Sequence, residues 1–170
     1  MTGPIPYSPT PGLSYDPSDS AYWDPQGLAD EIDRTFEICQ GCRMCFKYCD
    51  SFPLLFSFVD DRHHGDVRRI TDDETAEVFD ACFQCKLCEV QCPYTARDSH
   101  KFLLDFPKLV HRYRAQETRR KGVGRRERLL GDPDRTARLA RAGGGLANVL
   151  NQRSRTHRSF LERMVGIHPD

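Results

Sequence analysis

The sequence has no cysteine outside two short runs and none after Cys92. Nor is there a long apolar stretch: the longest uncharged one lies between Asp50 and Asp60, far short of the roughly 20 residues that a bilayer-spanning helix needs. The opening MTGPIPYSPTPGLSY lacks the basic-then-apolar order of an export signal, so reduced thiols in a cytoplasmic chain are the expectation. No glycine-rich phosphate loop is present, because Gly143–Gly145 is followed by neither lysine nor Ser/Thr in register. No nucleophile–base constellation stands out either, and nothing suggests a substrate site or an enzyme acting alone. Apolar residues make up only 38% of 170, a thin core for one domain with appendages or two small domains.

What is present is one pattern written twice. Cys39, Cys42, Cys45 and Cys49 have the spacing C-x2-C-x2-C-x3-C, and Cys82, Cys85, Cys88 and Cys92 repeat it, followed by Pro93. This is the spacing of bacterial ferredoxins with two [4Fe-4S] clusters, where the fourth thiolate of each run ligates the other cluster. The expected assignment is therefore crossed. Cys39, Cys42, Cys45 and Cys92 hold one cluster, and Cys82, Cys85, Cys88 and Cys49 hold the second. Zinc sites usually take paired C-x2-C motifs with four ligands per ion, and disulfide scaffolds belong to secreted chains. Both fit less well than two [4Fe-4S] clusters. Metal bound to an unformed site contributes folding free energy, so the metal-free chain is expected to fold poorly.

Around the cysteines the pattern is helical. Residues 1–20, rich in proline, glycine and serine, form a disordered or surface-draped arm. Asp24 and Pro25 open a helix with Leu28, Ile32 and Phe36 on one face, running into Cys39. Ser51 is expected to cap a second helix with the stripe Phe52, Leu55, Phe56 and Val59. Residues 60–70 make a polar connection in which His63 and His64 are read as solvated rather than as ligands. Thr71 and Glu74 form a capping box for a third helix bearing Val78 and Phe79. With an offset of 43, Phe36 maps onto Phe79, Arg43 onto Lys86 and Cys49 onto Cys92. Asp105 and Pro107 open a helix ending at Gly122; residues 124–130 form a short basic turn; Asp132 and Pro133 open another helix; two short helices fill 146–165.

The fold expected is all-α: a helical ferredoxin of two pseudo-symmetric helix–cysteine loop–helix halves with a basic helical extension. The boundaries are 1–20 for the arm, 21–106 for the two-cluster domain and 107–170 for the extension. Net charge is zero, but residues 1–106 carry 9 Lys/Arg against 19 Asp/Glu, and residues 107–170 carry 16 against 6. Such a split points to a tail that meets an acidic partner or, less favourably, an anionic membrane face. Arginine without interleaved aromatics speaks against nucleic acid.

The doubled run on a helical background resembles the helical ferredoxin family, which includes an iron–sulfur component of heterodisulfide reductase and the C-terminal half of the succinate dehydrogenase iron–sulfur protein. It more closely resembles the N-terminal portion of oxidoreductases related to the iron–sulfur component of anaerobic glycerol-3-phosphate dehydrogenase. Tyr22-Trp23-Asp24, Ser51-Phe52-Pro53, Cys82-x-Gln84-Cys85-Lys86-Leu87-Cys88, Cys92-Pro93-Tyr94 and Leu104-Asp105-Phe106-Pro107 carry the likeness. Asp50 stands where a proline would follow Cys49, and the cysteine-rich CCG domains of the longer relatives have no counterpart. The resemblance implies an electron-transfer component of an oxidoreductase, taking electrons from a flavoprotein or cytosolic donor and passing them to a CCG-type protein or quinone. Arg43 and Lys86, inside the loops, are candidates for tuning cluster potential, as are the loop amides of 40–45 and 83–88. The rival reading is a non-redox binding module stapled by clusters or zinc.

Overall fold

The computed structural model describes residues 4–143 with Gly145, Ser159 and Arg163, the side chains of 126 and 129 apart. Among the described residues the chain is helix and turn with no strand. It forms two compact units, one reaching Arg120 and the other beginning at Lys121.

In the first unit, a turn of 3-10 helix at Ser20–Trp23 leads into α1, Pro25–Cys42. The Asp24 carboxylate accepts from the N–H groups of Gln26 and Gly27 at 3.2 and 2.9 Å, and Pro25 takes the first position, where a missing N–H costs nothing. Leu28, Ile32 and Phe36 are buried as expected. The next helix, α2, spans Ser51–Ser57. Here Ser51 is not the cap. Asp50 occupies that position without a side-chain bond, and the Ser51 hydroxyl is buried with no partner. The stripe Phe52, Leu55, Phe56 and Val59 is buried throughout. A wider helical turn, Phe58–Arg62, follows, and His63 N–H closes it on Phe58 O at 3.1 Å.

The polar connection ends in a short 3-10 turn, Val67–Arg69, before α3, Asp72–Asp80. Its capping box is formed: Glu74 N–H donates to Thr71 Oγ1 at 3.2 Å, and Thr71 N–H to Glu74 Oε2 at 3.0 Å. That backbone bond, with His63 and Arg62 beside it, holds the Glu74 carboxyl down at about 2. His63 thus belongs to the cap, 2.7 Å from Glu74, while His64 is exposed. A short α4, Leu87–Gln91, lies inside the second cysteine run, and α5 spans Phe106–Lys121. The Asp105 carboxylate caps α5 through Lys108 N–H at 3.0 Å, and Gly122, at φ +76°, ends it in a conformation that suits glycine.

Phe79 sits at the centre of the core. Its ring meets Phe36 at 5.6 Å, Phe106 at 5.8 Å and Tyr113 at 4.8 Å, joining α1, α3 and α5. Each such ring, fully buried, contributes about 1.5–3 kcal/mol. α5 therefore packs with the cysteine-bearing helices, although the sequence boundary at 106/107 places it in the extension.

The proline-rich arm is draped over the unit by buried polar groups. Thr10 N–H donates to Glu31 Oε1 at 2.8 Å, and Arg34, paired with Glu31, donates to Tyr7 O at 3.0 Å and Phe102 O at 2.8 Å. Arg112 of α5 donates to Gly12 O at 2.8 Å and Tyr22 O at 2.9 Å. The arm crosses α1 where Gly12 faces Gly27, so closely that a Cβ on either would clash with the other's backbone.

In the second unit, residues 125–130 form a helix, α6, rather than a basic turn, because Glu127 Oε2 accepts from Gly124 N–H at 2.7 Å. α7, Pro133–Ala142, is capped by Asp132 through Arg135 N–H at 2.9 Å, and all of its residues are exposed. The helices expected in 146–165 lie outside the described residues. No described helix is long and apolar enough to cross a membrane.

Thr71→Ala removes the hydroxyl half of the α3 cap. The thermal midpoint of the metal-loaded protein should fall, corresponding to a loss of about 0.5–2 kcal/mol, with the visible spectrum unchanged.

Candidate metal centre

The two cysteine runs are delivered by different local structures. Cys39 and Cys42 lie on the last turn of α1, which stops at Arg43 in a left-handed conformation, φ +54°. Cys45 and Cys49 follow in tight turns, where Phe46 N–H reaches Arg43 O and Tyr48 N–H reaches Cys45 O. In the second run Cys82 comes just after α3, Cys85 lies in an irregular stretch, Cys88 is on α4 and Cys92 closes it. Lys86, which the offset of 43 pairs with Arg43, is also left-handed at φ +62°, and Gln84 is at +58°. Of the six described non-glycine residues with positive φ, each costing on the order of 1–3 kcal/mol, three lie in the cysteine loops.

The loops meet thiol to thiol. Cys39 lies within electrostatic reach of Cys92, Cys45, Cys88 and Cys42, and Cys45 within reach of Cys92, Cys42 and Cys49. Cys88 faces Cys45, Cys82, Cys49 and Cys85, and Cys82 faces Cys49 and Cys85. A hollow of about 320 Å³, partly open to solvent, is bordered by Cys39, Cys42, Cys45 and Cys92 with Phe52, Phe56 and Leu104. A second of about 290 Å³ is bordered by Cys39, Cys45, Cys88 and Cys92 with Thr35 and Phe106.

Burial is the main force on these thiols. It pushes Cys39 well up, Cys45 to about 11 and Cys88 to about 12, with the neighbouring thiols adding to each. Cys82 and Cys92 are raised for the same reason, though the Gln84 N–H opposes it at Cys82 and the Tyr94 N–H at Cys92.

The residues fit a metal–sulfur group. Thiolates crowded against apolar walls need a cation among them. The buried Thr35 hydroxyl, at the rim of the second hollow, has no partner and would find an acceptor in sulfide. Among the described residues no three His, Cys, Asp or Glu side chains are grouped so as to hold a single metal ion; Cys39, Cys42, Cys45, Cys88 and Cys92 border the two hollows instead, while Cys49, Cys82 and Cys85 border neither.

The two candidate tuning residues differ. Arg43 is bound by both guanidinium arms to Asp60, at 2.7 and 2.6 Å, and lies 5.0 Å over Phe56. Lys86 is exposed, with no ion pair among those described. Three other residues touching the loops were not among the candidate site residues, although Gln84 and Tyr94 carry the resemblance. Gln84 Nε2 approaches Cys82 Sγ at 3.8 Å and donates to Pro107 O at 3.1 Å. The Tyr94 hydroxyl lies beside Cys42, whose charge is the chief cause that raises it. Arg114 of α5 donates to Phe79 O at 2.7 Å and Cys82 O at 3.0 Å. Its signal was available: it falls eight residues after Phe106 and four after Val110, a cation on an otherwise apolar stripe.

Thiols from two loops, five of them bordering apolar hollows, define a site class that holds a metal–sulfur group. Residues 38–97 match a family model described as a 4Fe-4S dicluster domain. No curated protein and no solved structure matches the chain. The match and the eight cysteines support an iron–sulfur protein that binds [4Fe-4S].

Stripping the metal with acid and chelator should lower the far-ultraviolet helical signal, and iron with sulfide should restore it. A chain that keeps full helix content without metal contradicts this coupling of folding to loading.

Proposed function

We propose that this chain is an electron carrier with two [4Fe-4S] centres, each taking one thiolate from the opposite loop. One centre uses Cys39, Cys42, Cys45 and Cys92, and the other uses Cys82, Cys85, Cys88 and Cys49. The observation that carries the reading is the hollow bordered by Cys39, Cys42, Cys45 and Cys92, three thiols of one run and the last of the other. Contact of Phe36 with Phe79, and the matching backbone at Arg43 and Lys86, support two related halves. When bound, such a group takes up and releases single electrons without moving other atoms.

The chain's own residues hold the group, wall it off and present it. Phe52, Phe56 and Leu104 exclude water on the inner side. On the outer side Met44, Phe46, Phe83, Leu87 and Val90 are exposed, Phe83 by 77%. An apolar rim around the loops suits a transient redox partner whose own centre must come close. That partner is a flavoprotein or a CCG-type oxidoreductase, with the basic residues of 107–170 as a second docking element, for an acidic protein or an anionic membrane face. Lys86, with an unbalanced charge, is the stronger tuner of potential; the Arg43 charge is already answered by Asp60.

Two combined substitutions test the crossing. In Cys39→Ser/Cys92→Ser both changes strike the same centre, so half of the iron and half of the visible absorbance near 400 nm (roughly, for sulfur-to-iron charge transfer) should remain and bleach with dithionite. If each run served its own centre, this variant would lose both. A colourless wild-type protein would instead favour the zinc-stapled binding module.

A further inference from the structure

The fixed charges around the two halves of the site are unequal. On one side stands Arg114. Its guanidinium is half-buried under the second loop, and its two bonds go to the backbone carbonyls of Phe79 and Cys82, which leave its charge whole. No carboxylate pairs with it among the described residues, and it acts on the Cys82 thiol as a nearby cation. Lys86, exposed on the same loop, adds to the positive side.

On the other side, Asp98 and Glu89 lie within electrostatic reach of Cys92, Glu89 at the rim of the second hollow between Cys88 and Cys92. Arg97 lies between them, 3.1 Å from Asp98 and 3.7 Å from Glu89, so the three together carry one negative charge. Asp98 is fixed in place by Thr95 Oγ1 at 2.9 Å. Arg43, the cation of the first loop, is neutralised by Asp60.

A cluster gains negative charge when reduced, so a nearby cation favours the reduced form and a nearby carboxylate opposes it. We infer that Arg114 sets the order of the pair: the centre of Cys82, Cys85, Cys88 and Cys49 has the higher potential, and electrons run toward it from the centre that includes Cys92. This rests on the two-centre reading above. Arg114 is a positioning and tuning residue, since its bonds also fix the peptide that carries Cys82 against α5.

The test is an EPR-monitored redox titration of the iron-loaded full chain. Arg114→Gln keeps a donor but removes the charge. At fixed ambient potential it should lower the reduced-to-oxidised ratio of the upper wave about tenfold, 59 mV for a one-electron couple, and leave the lower wave in place. Arg114→Lys should restore the upper wave most of the way. Asp98→Asn should raise the lower wave only. Iron content is measured alongside. A wild-type chain without two centres sinks the reading beneath this inference, not the inference alone. With both centres loaded, an unmoved upper wave in Arg114→Gln, or a shift of the lower wave instead, overturns it. If Arg114→Gln fails to retain the second centre, Asp98→Asn decides: a raised lower wave upholds the charge asymmetry, and an unmoved one refutes it.

Discussion

Sulfur charge in an apolar setting is the constraint around which the first unit is built. Burial raises five of the eight thiols, with further contributions from sulfurs of the same or the opposite loop. Ionised together without a cation, they would repel one another in a medium that screens poorly. Left protonated, they would line hollows that no side chain fills. A bound metal–sulfur group would remove both problems at once and would couple loading to folding.

The helices serve this arrangement by fixing where each loop begins. α1 ends inside the first run, α3 ends two residues before the second, and Phe79 joins both to α5. Two buried arginines then close the unit from outside. Arg34 divides its donors between the Glu31 carboxylate and the carbonyls of Tyr7 and Phe102. Arg112 gives all of its described bonds to backbone carbonyls, those of the arm and the Ser20–Trp23 turn among them. The arm is thereby held by the same bonds that satisfy the arginines. A third, Arg114, applies the same device to the peptide entering the second loop.

Much of this is legible in the residues. The cysteine spacing names the group, and the Asp24-Pro25, Thr71/Glu74 and Asp105 signals place three helix starts, because each is local chemistry within one turn. Ser51 misleads for an equally local reason: its hydroxyl turns inward, and Asp50 takes the cap position without bonding. Residues 124–130 read as a turn, but Gly124 and Glu127 close a helical one. The arm's docking cannot be read, since Gly12 and Arg112 are 100 residues apart and a guanidinium that seeks carbonyls leaves no motif. Arg114 is legible only as a cation on the wrong face of its helix.

The most direct measurement of the central claim is the EPR spectrum of the fully reduced protein at low temperature. Two clusters held as proposed, on either side of a wall of Cys39, Cys45, Cys88 and Cys92, would be close enough for their spins to interact. The expected spectrum is broadened and split by that interaction and integrates to two spins per chain. A spectrum of one magnetically isolated centre, or no iron signal at all, would contradict the account.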